Sequence, residues 1–227
     1  MDLFSPSWAA LRTAVADLTD KDFEQPSGCA GWLVRDLVCH LIIDAQDVLI
    51  TLVTPAATDA APTADATTYW HVTHEPPAAE DPLASLTVRL AAAYEDMALL
   101  TFHLDDVGSA AARAAELADP AARVTTQNQI LTVEDYLTAY VLEWTLHHLD
   151  LTAHLPTRQG PSPTTPGPSP ESLAHSRTAL ERIAGTAFPG SLTDEDALLI
   201  GTGRRAPSDT ERAELGLLEG KLPLVLG

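Results

Sequence analysis

Two proline-rich stretches divide this chain and limit where regular structure can form. Residues 55–82 contain five prolines, and residues 156–170, PTRQGPSPTTPGPSP, are dense in proline and glycine. Proline lacks an amide hydrogen and clashes with the preceding helical turn, so helices are expected to end where these stretches begin. We interpret residues 55–82 as a long irregular connection and residues 156–170 as an extended linker.

Between these stretches, apolar residues recur at the three- and four-residue spacing of amphipathic helices. The pattern predicts four main helices, over residues 7–19, 31–53, 82–103 and 133–155. Shorter helices are predicted over residues 171–185, from residue 193 onward and over residues 209–215. Residues 105–128 give only a weak signal, and we find no strand-like alternation of useful length. The expected fold is therefore all-α, a four-helix bundle with a helical C-terminal extension.

The length of the chain agrees with this division. Its 227 residues suffice for one core-bearing domain of about 150 residues and an extension. We predict a helical bundle over residues 1–155, the linker over residues 156–170, and the extension over residues 171–227.

Charge and composition exclude several classes of partner. The net charge of −19 repels nucleic-acid phosphates and anionic lipid headgroups. The sequence has neither an apolar run of about 18 residues nor the pattern of a signal peptide, so we expect a cytoplasmic protein, monomeric or homodimeric. With only two cysteines, Cys29 and Cys39, a disulfide framework is not expected, and the sequence leaves a single disulfide open. Cys39 lies in an apolar helical run and is predicted to be a buried thiol.

The helix predicted over residues 133–155 carries a polar stripe beside its apolar arc. Glu143 and His147 are four residues apart on that stripe and lie on one helix face, where both can bind a single metal ion. An ordinary helix-stabilising pair has the same spacing, so this helix alone leaves both interpretations open. His148 points about 100° away and is interpreted as a core histidine.

The helix predicted over residues 31–53 has a similar narrow ionisable stripe opposite a broad apolar arc. The stripe contains Asp36, His40, Asp44 and Asp47. His40 could be a metal ligand with acidic neighbours, or it could belong to the solvated side of a surface helix. Periodicity does not decide between the two.

A resemblance to a known family bears on this choice. The segment CAGWLVRDLVCHL, residues 29–41, resembles the GW-x-V-x-D-x-x-x-H-L signature of the DinB superfamily. Within that superfamily, the segment is similar to the N-terminal domain of mycothiol-dependent maleylpyruvate isomerases. Glu143-x-x-x-His147, followed by Asp150-Leu151, resembles the second metal motif of the same family. Residues 198–205 and 211–216 resemble a tail found among uncharacterised actinobacterial members.

The resemblance implies a DinB-like four-helix bundle in which His40, Glu143 and His147 bind a divalent metal ion. Two histidines and a glutamate match catalytic zinc sites, with nickel, iron or manganese as alternatives. The family uses such a metal to bind the thiolate of mycothiol, a low-molecular-weight thiol. The implied function is a metal- and mycothiol-dependent isomerase or S-transferase that acts on a small electrophilic substrate.

The resemblance also implies roles for residues around the metal. An anionic substrate would need a guanidinium, for which Arg89 is the candidate. Arg204 and Arg205 could also reach back over the site, although surface or capping roles are expected for them. Tyr140 and Asp150 are expected to orient His147 or a bound water.

One feature departs from the family, and two other functions stay open. The isomerases proper carry a separate α/β C-terminal domain, whereas fewer than 60 residues follow the linker here and they are predicted to be helical. The substrate therefore need not be maleylpyruvate. The alternatives are a metal-hydroxide enzyme without a thiol and a non-catalytic bundle that binds a metal or a small molecule.

Overall fold

The computed structural model of the protein describes residues 2–57, 59–75, 82–155 and 167–226, without the side chain of Leu83. Residues 76–81 of the predicted connection and residues 156–166 of the predicted linker therefore lie outside the described residues. The helices are α1 (Phe4–Ala16), α2 (Asp20–Phe23), α3 (Val34–Leu52), α4 (Pro82–Ala92), α5 (Met97–Leu117), α6 (Val133–Thr152), α7 (Pro170–Ala184), α8 (Asp194–Gly201) and α9 (Asp209–Leu215). A 3₁₀ turn, Gly216–Lys221, follows α9. The strands are β1 (Val72–Thr73), β2 (Arg123–Thr126), β3 (Gln129–Thr132) and β4 (Val225–Leu226). The predicted all-α fold is confirmed.

Helices α1, α3, α5 and α6 form the four-helix bundle. Helix α1 packs against α5 and α6, and α3 packs against the same two helices, so the four enclose one core. Aromatic side chains fill the contact between α1 and α6: the rings of Trp8 and Trp144 stack with their centroids 4.2 Å apart. The indole Nε1–H of Trp8 also donates a hydrogen bond of 2.8 Å to the carbonyl oxygen of Gly108 on α5. Cys39 is buried, as predicted.

The predicted third helix, over residues 82–103, is wrong, because the chain breaks there into α4 and α5. The break is specified locally by Asp96, whose side chain accepts a hydrogen bond of 2.9 Å from the amide of Ala98 and so caps the start of α5. Helix α5 then continues to Leu117 through alanine-rich sequence that lacks a strong apolar stripe. Alanine favours a helix without marking the buried face, which is why periodicity missed it.

The absence of strands is also corrected, since β2 and β3 form an antiparallel hairpin. Gln127 and Asn128 at its tip have φ angles of 47° and 61°, the left-handed pair of a two-residue hairpin turn. Val124 lies opposite Leu131, and both side chains are buried. Four-residue strands are too short to show alternation, and the turn lacks the glycine that usually signals it.

The C-terminal extension packs on the side of α6 that faces away from the bundle. Leu142, Leu146 and Leu149 of α6 form a second apolar cluster with side chains that include Leu180 of α7 and Leu198 of α8. Helix α6 is consequently buried almost all round. The pairing of β4 with β1 also joins the end of the chain to the connection after α3. The division into domain, linker and extension stays a prediction.

Among the residues that the structure describes, no helix has both the length and the apolar character needed to cross a membrane.

Gly108 tests the packing of α1 on α5. A Cβ built at Gly108 would lie 2.6 Å from Cζ2 of Trp8, a ring that is fully buried. Overpacking of this kind costs about 1–3 kcal/mol, whereas glycine-to-alanine replacement within a helix gains about 1 kcal/mol. We expect Gly108→Ala to lower the free energy of unfolding by about 1 kcal/mol in urea denaturation. The control is Gly190→Ala, because nothing lies within 4 Å of a Cβ at Gly190. If the two variants are equally stable, the tight contact does not constrain the bundle.

Candidate metal centre

Helices α3 and α6 bring His40, Glu143 and His147 together. The Nε2 atom of His147 lies 3.0 Å from Oε1 of Glu143, and Nε2 of His40 lies 3.9 Å from the same oxygen. The two imidazole rings are 4.9 Å apart between centroids and nearly perpendicular. One donor atom from each of these residues, and one from Asp44, all lie within 4.8 Å of one another. A single cation could contact all of them.

The segment before α3 sets the position of His40. Asp36 is buried, and its carboxylate accepts a hydrogen bond of 2.8 Å from the amide of Leu33, so it caps the start of the helix. Gly31 has a φ of 82°, which permits the tight turn that leads into Trp32. The indole of Trp32 then meets the ring of His40 edge-on, with centroids 5.2 Å apart. The glycine, tryptophan and aspartate of the motif therefore build the helix start, and the histidine faces the site.

Glu143 and His147 form a buried pair of opposite charge. Burial opposes ionisation of Glu143, but His147 and His40 together lower the pKa of its carboxyl well below the usual range. Conversely, Glu143 and Asp150 raise the pKa of His147 well above its usual range, although burial acts in the other direction. Glu143 is thus ionised and ready to act as a ligand, and a bound cation would take the place of the proton on His147.

Asp150 holds the other nitrogen of His147, as predicted. Its Oδ2 lies 3.1 Å from Nδ1 of His147, which directs Nε2 of the same ring toward Glu143. Carboxylates that contact the distal nitrogen of a metal-binding histidine fix the orientation and tautomer of the ring. The side chain of Asp150 is only 1% exposed, so its charge needs compensation within the protein.

Arg204 supplies that compensation from the C-terminal extension. Its Nε donates a hydrogen bond to Oδ1 of Asp150, and one terminal nitrogen donates a hydrogen bond to Oδ2. Both bonds are 2.8 Å long. Burial opposes the ionisation of Asp150, yet Arg204 holds the pKa of that carboxyl well below its usual range. A surface or capping role was expected for both tail arginines. It holds for Arg205, which pairs with Asp196 and Glu211, but not for Arg204.

Cys29 is a neighbour of the site that the sequence did not single out. Its Sγ lies 3.3 Å from Oδ2 of Asp150 and 3.8 Å from Nδ1 of His147. Burial raises the pKa of the Cys29 thiol, and Asp150 adds to the effect, so the thiol donates to Asp150 rather than acting as a nucleophile. The available signal was its place two residues before the glycine of the glycine–tryptophan motif.

Asp44 and three tyrosines line the other side of the cluster. Asp44 is 7% exposed, with Oδ2 3.4 Å from Nε2 of His40, and burial raises the pKa of its carboxyl to about 6. Tyr69, from the connection after α3, meets the ring of Tyr136 at 6.0 Å, and Tyr136 meets Tyr140 at 4.9 Å. Burial, with a contribution from the carboxylates of Glu143 and Asp44, raises the pKa of Tyr69, so its phenol stays neutral.

Comparison with known protein families gives a match that covers most of the chain. The family model described as the mycothiol maleylpyruvate isomerase N-terminal domain matches residues 4–152 of the chain. The chain belongs to this family. In the comparisons with curated proteins and with solved structures, nothing matches. The match to the mycothiol maleylpyruvate isomerase domain includes His40, Glu143, His147 and Asp150, whereas Arg204 lies outside it.

Arg89 is exposed on α4. Within the described part of the chain, the polar contacts of His40, Glu143 and His147 do not include it. Its proposed contact with a substrate stays a prediction.

The buried pair of Arg204 and Asp150 can be tested by Arg204→Met, which keeps much of the side-chain volume and removes the charge. Removing one partner of a buried ion pair costs about 3–5 kcal/mol, so we expect the free energy of unfolding at pH 7 to fall by about 3 kcal/mol in urea denaturation. Arg205→Met is the matched control, because the ion pairs of Arg205 lie in a more exposed position.

The pH dependence gives a second readout for the same pair. Because Arg204 lowers the pKa of Asp150 in the folded state, the pair stabilises the protein above about pH 4, the ordinary aspartate pKa in an unfolded chain. That contribution is lost as the pH falls toward the lowered folded-state pKa. The stability difference between wild type and Arg204→Met should therefore shrink below about pH 4. A difference that stays constant from about pH 7 to 3 would contradict this account.

Proposed function

We propose that this protein binds a divalent metal ion through His40, Glu143 and His147 and acts with mycothiol on a small electrophilic substrate. The observation that carries the proposal is the convergence of these three side chains from two helices far apart in sequence. Membership of the mycothiol maleylpyruvate isomerase family supports the thiol as cosubstrate. The reaction would be an isomerisation or an S-transfer.

The donor set fits a catalytic metal. Two imidazoles and one carboxylate are typical of zinc sites that keep a position free for water or substrate. Zinc is therefore proposed first, and nickel, iron or manganese would also accept these ligands. When bound, such an ion would stabilise a thiolate at neutral pH and polarise a nearby carbonyl oxygen.

The surrounding residues would prepare this chemistry. Asp150, fixed by Arg204, holds Nδ1 of His147, so Nε2 stays turned toward the site. The Oδ2 atom of Asp44 is buried and has no hydrogen-bond partner among the described residues, so it is placed to accept the proton of an arriving thiol. Tyr69 and Tyr140 remain neutral phenols, so they add no charge beside the site.

The two proposed reactions differ in what happens after the thiolate attacks. In an isomerase, the thiolate adds to an activated cis double bond, the resulting single bond rotates, and the same thiolate leaves. In an S-transferase, the carbon–sulfur bond persists in the product. Neither reaction needs a nucleophilic protein cysteine, in agreement with the raised pKa values of the Cys29 and Cys39 thiols.

Metal binding is tested first, by the metal content of the purified protein and by titration against a chelator. We expect His40→Ala to weaken binding by at least about tenfold, because the ligand set loses one of three donors. His154→Ala is the control, since His154 is exposed just beyond the end of α6. Unchanged affinity in His40→Ala would remove the site assignment.

Thiol binding is tested next, on protein loaded with Co²⁺ in place of the native ion. Mycothiol should produce a sulfur-to-cobalt charge-transfer band and raise the melting temperature only when metal is present. At a concentration of about one hundred times Kd, a ligand stabilises the folded state by about 2.7 kcal/mol. A metal-loaded protein that shows neither signal would favour a metal-hydroxide enzyme or a non-catalytic bundle.

A further inference from the structure

We infer that Asp44 and Asp47 give the metal centre an acidic entrance, and that the centre favours ligands without a negative charge next to the group that binds the metal. This inference rests on the metal site proposed above and specifies its substrate class. A diacid such as the one in the family name would be disfavoured, and a neutral or positively charged small molecule would be accepted.

The first observation is the arrangement of carboxylates on α3. His40, Asp44 and Asp47 follow one another at spacings of four and three residues, so they lie on one helix face. Asp44 is nine-tenths buried and belongs to the cluster of possible metal ligands. Its Oδ2 atom has no hydrogen-bond partner among the described residues. Asp47 is exposed one turn further along and still interacts electrostatically with His40.

The second observation is where the compensating cations lie. Arg204 is committed to Asp150 by two hydrogen bonds on the Nδ1 side of His147, whereas Asp44 and Glu143 lie near Nε2 of the histidines. The charged groups with the largest effects on the pKa of Asp44 are His40, Glu143, His147 and Asp47, all of them imidazoles or carboxylates. A divalent ion would balance Glu143 and Asp44, which leaves the charge of Asp47 uncompensated beside the site.

The third observation concerns the neutral groups near this entrance. Burial and nearby carboxylates raise the pKa of Tyr69 and of Tyr140, so both phenols stay protonated at neutral pH. Neutral phenols do not supply the positive charge that a second carboxylate would require. The entrance is thus suited to polar ligands without negative charge.

The test uses three two-carbon thiols that differ in charge: thiocholine is a cation, 2-mercaptoethanol is neutral, and 2-mercaptoethanesulfonate is an anion. Each is titrated into the full-length protein loaded with Co²⁺, and Kd is taken from the charge-transfer band. The three thiols differ in acidity, so each is compared between wild type and Asp47→Asn rather than with the other thiols. Asp106→Asn, on the exposed face of α5, removes the same charge elsewhere and serves as control.

We expect Asp47→Asn to weaken thiocholine and to strengthen the sulfonate, so that the ratio of their Kd values shifts by about five- to twentyfold at low ionic strength. Asp106→Asn should leave the ratio unchanged, and 2-mercaptoethanol should respond to neither substitution. An unchanged ratio in Asp47→Asn, or an equal shift in Asp106→Asn, would overturn the inference.

Failure of the inference is distinguishable from failure of the proposed function. If wild type binds Co²⁺ but neither mycothiol nor any of the three small thiols produces a band, the proposed thiol role is wrong. The charge preference is then tested with azide, an anion, and imidazole, which is neutral when it binds. Their Kd values are measured from the visible bands of Co²⁺ in the same three proteins. Asp47→Asn should strengthen azide and leave imidazole unchanged; equal effects on both would overturn the inference. If wild type binds no metal at all, both proposals are wrong.

Discussion

The arrangement of this site depends on the contacts that compensate the buried charge of Asp150. Its carboxylate is almost completely buried, and it meets Arg204, His147 and Cys29 at once. The backbone takes part as well, because the amide of Gly28 donates a hydrogen bond of 2.8 Å to the carbonyl oxygen of Asp150. A buried carboxylate must be compensated where it stands. Asp150 therefore connects two distant segments of the chain to α6, and the orientation of His147 follows from it.

The second constraint is the burial of α6 on nearly all sides. One face packs into the bundle through Trp144, and the opposite face packs against α7 and α8 through Leu142 and Leu146. The polar stripe with Glu143 and His147 lies between these two apolar surfaces. Histidines and carboxylates placed there have little access to water, which is why their pKa values shift so far and why their electrostatic interactions are strong.

Helices with regular apolar spacing or clear capping residues could be predicted from the sequence, whereas a helix break and a short hairpin could not. Helices α3, α6 and α9 were found because their apolar spacing or their capping residues are explicit in the sequence. The break before α5 depends on a single capping aspartate, and the hairpin depends on a turn without glycine; both signals are too local for a periodicity argument.

In the candidate site, too, residues within one local motif could be predicted from the sequence, whereas contacts between distant segments could not. Glu143 and His147 could be paired by their spacing, and His40 by its motif. The contributions of Cys29 and Arg204 arise from contacts across 121 and 54 residues, which no spacing reveals. Asp44 lay on the predicted ionisable stripe, but only the structure shows that its carboxylate is buried and turned toward the histidines.

The position of Arg204 has a consequence for how the boundaries of this protein are understood. Similarity to the family ends at residue 152, yet the guanidinium that balances Asp150 and the leucines that cover α6 come from residues well beyond that point. A shortened chain cut where the similarity stops would keep every proposed metal ligand. It would also leave the carboxylate of Asp150, which contacts His147, without its arginine partner. The leucines of α6 that the extension covers would be exposed to water. The family match and the contacts that support the candidate site therefore cover different stretches of the chain.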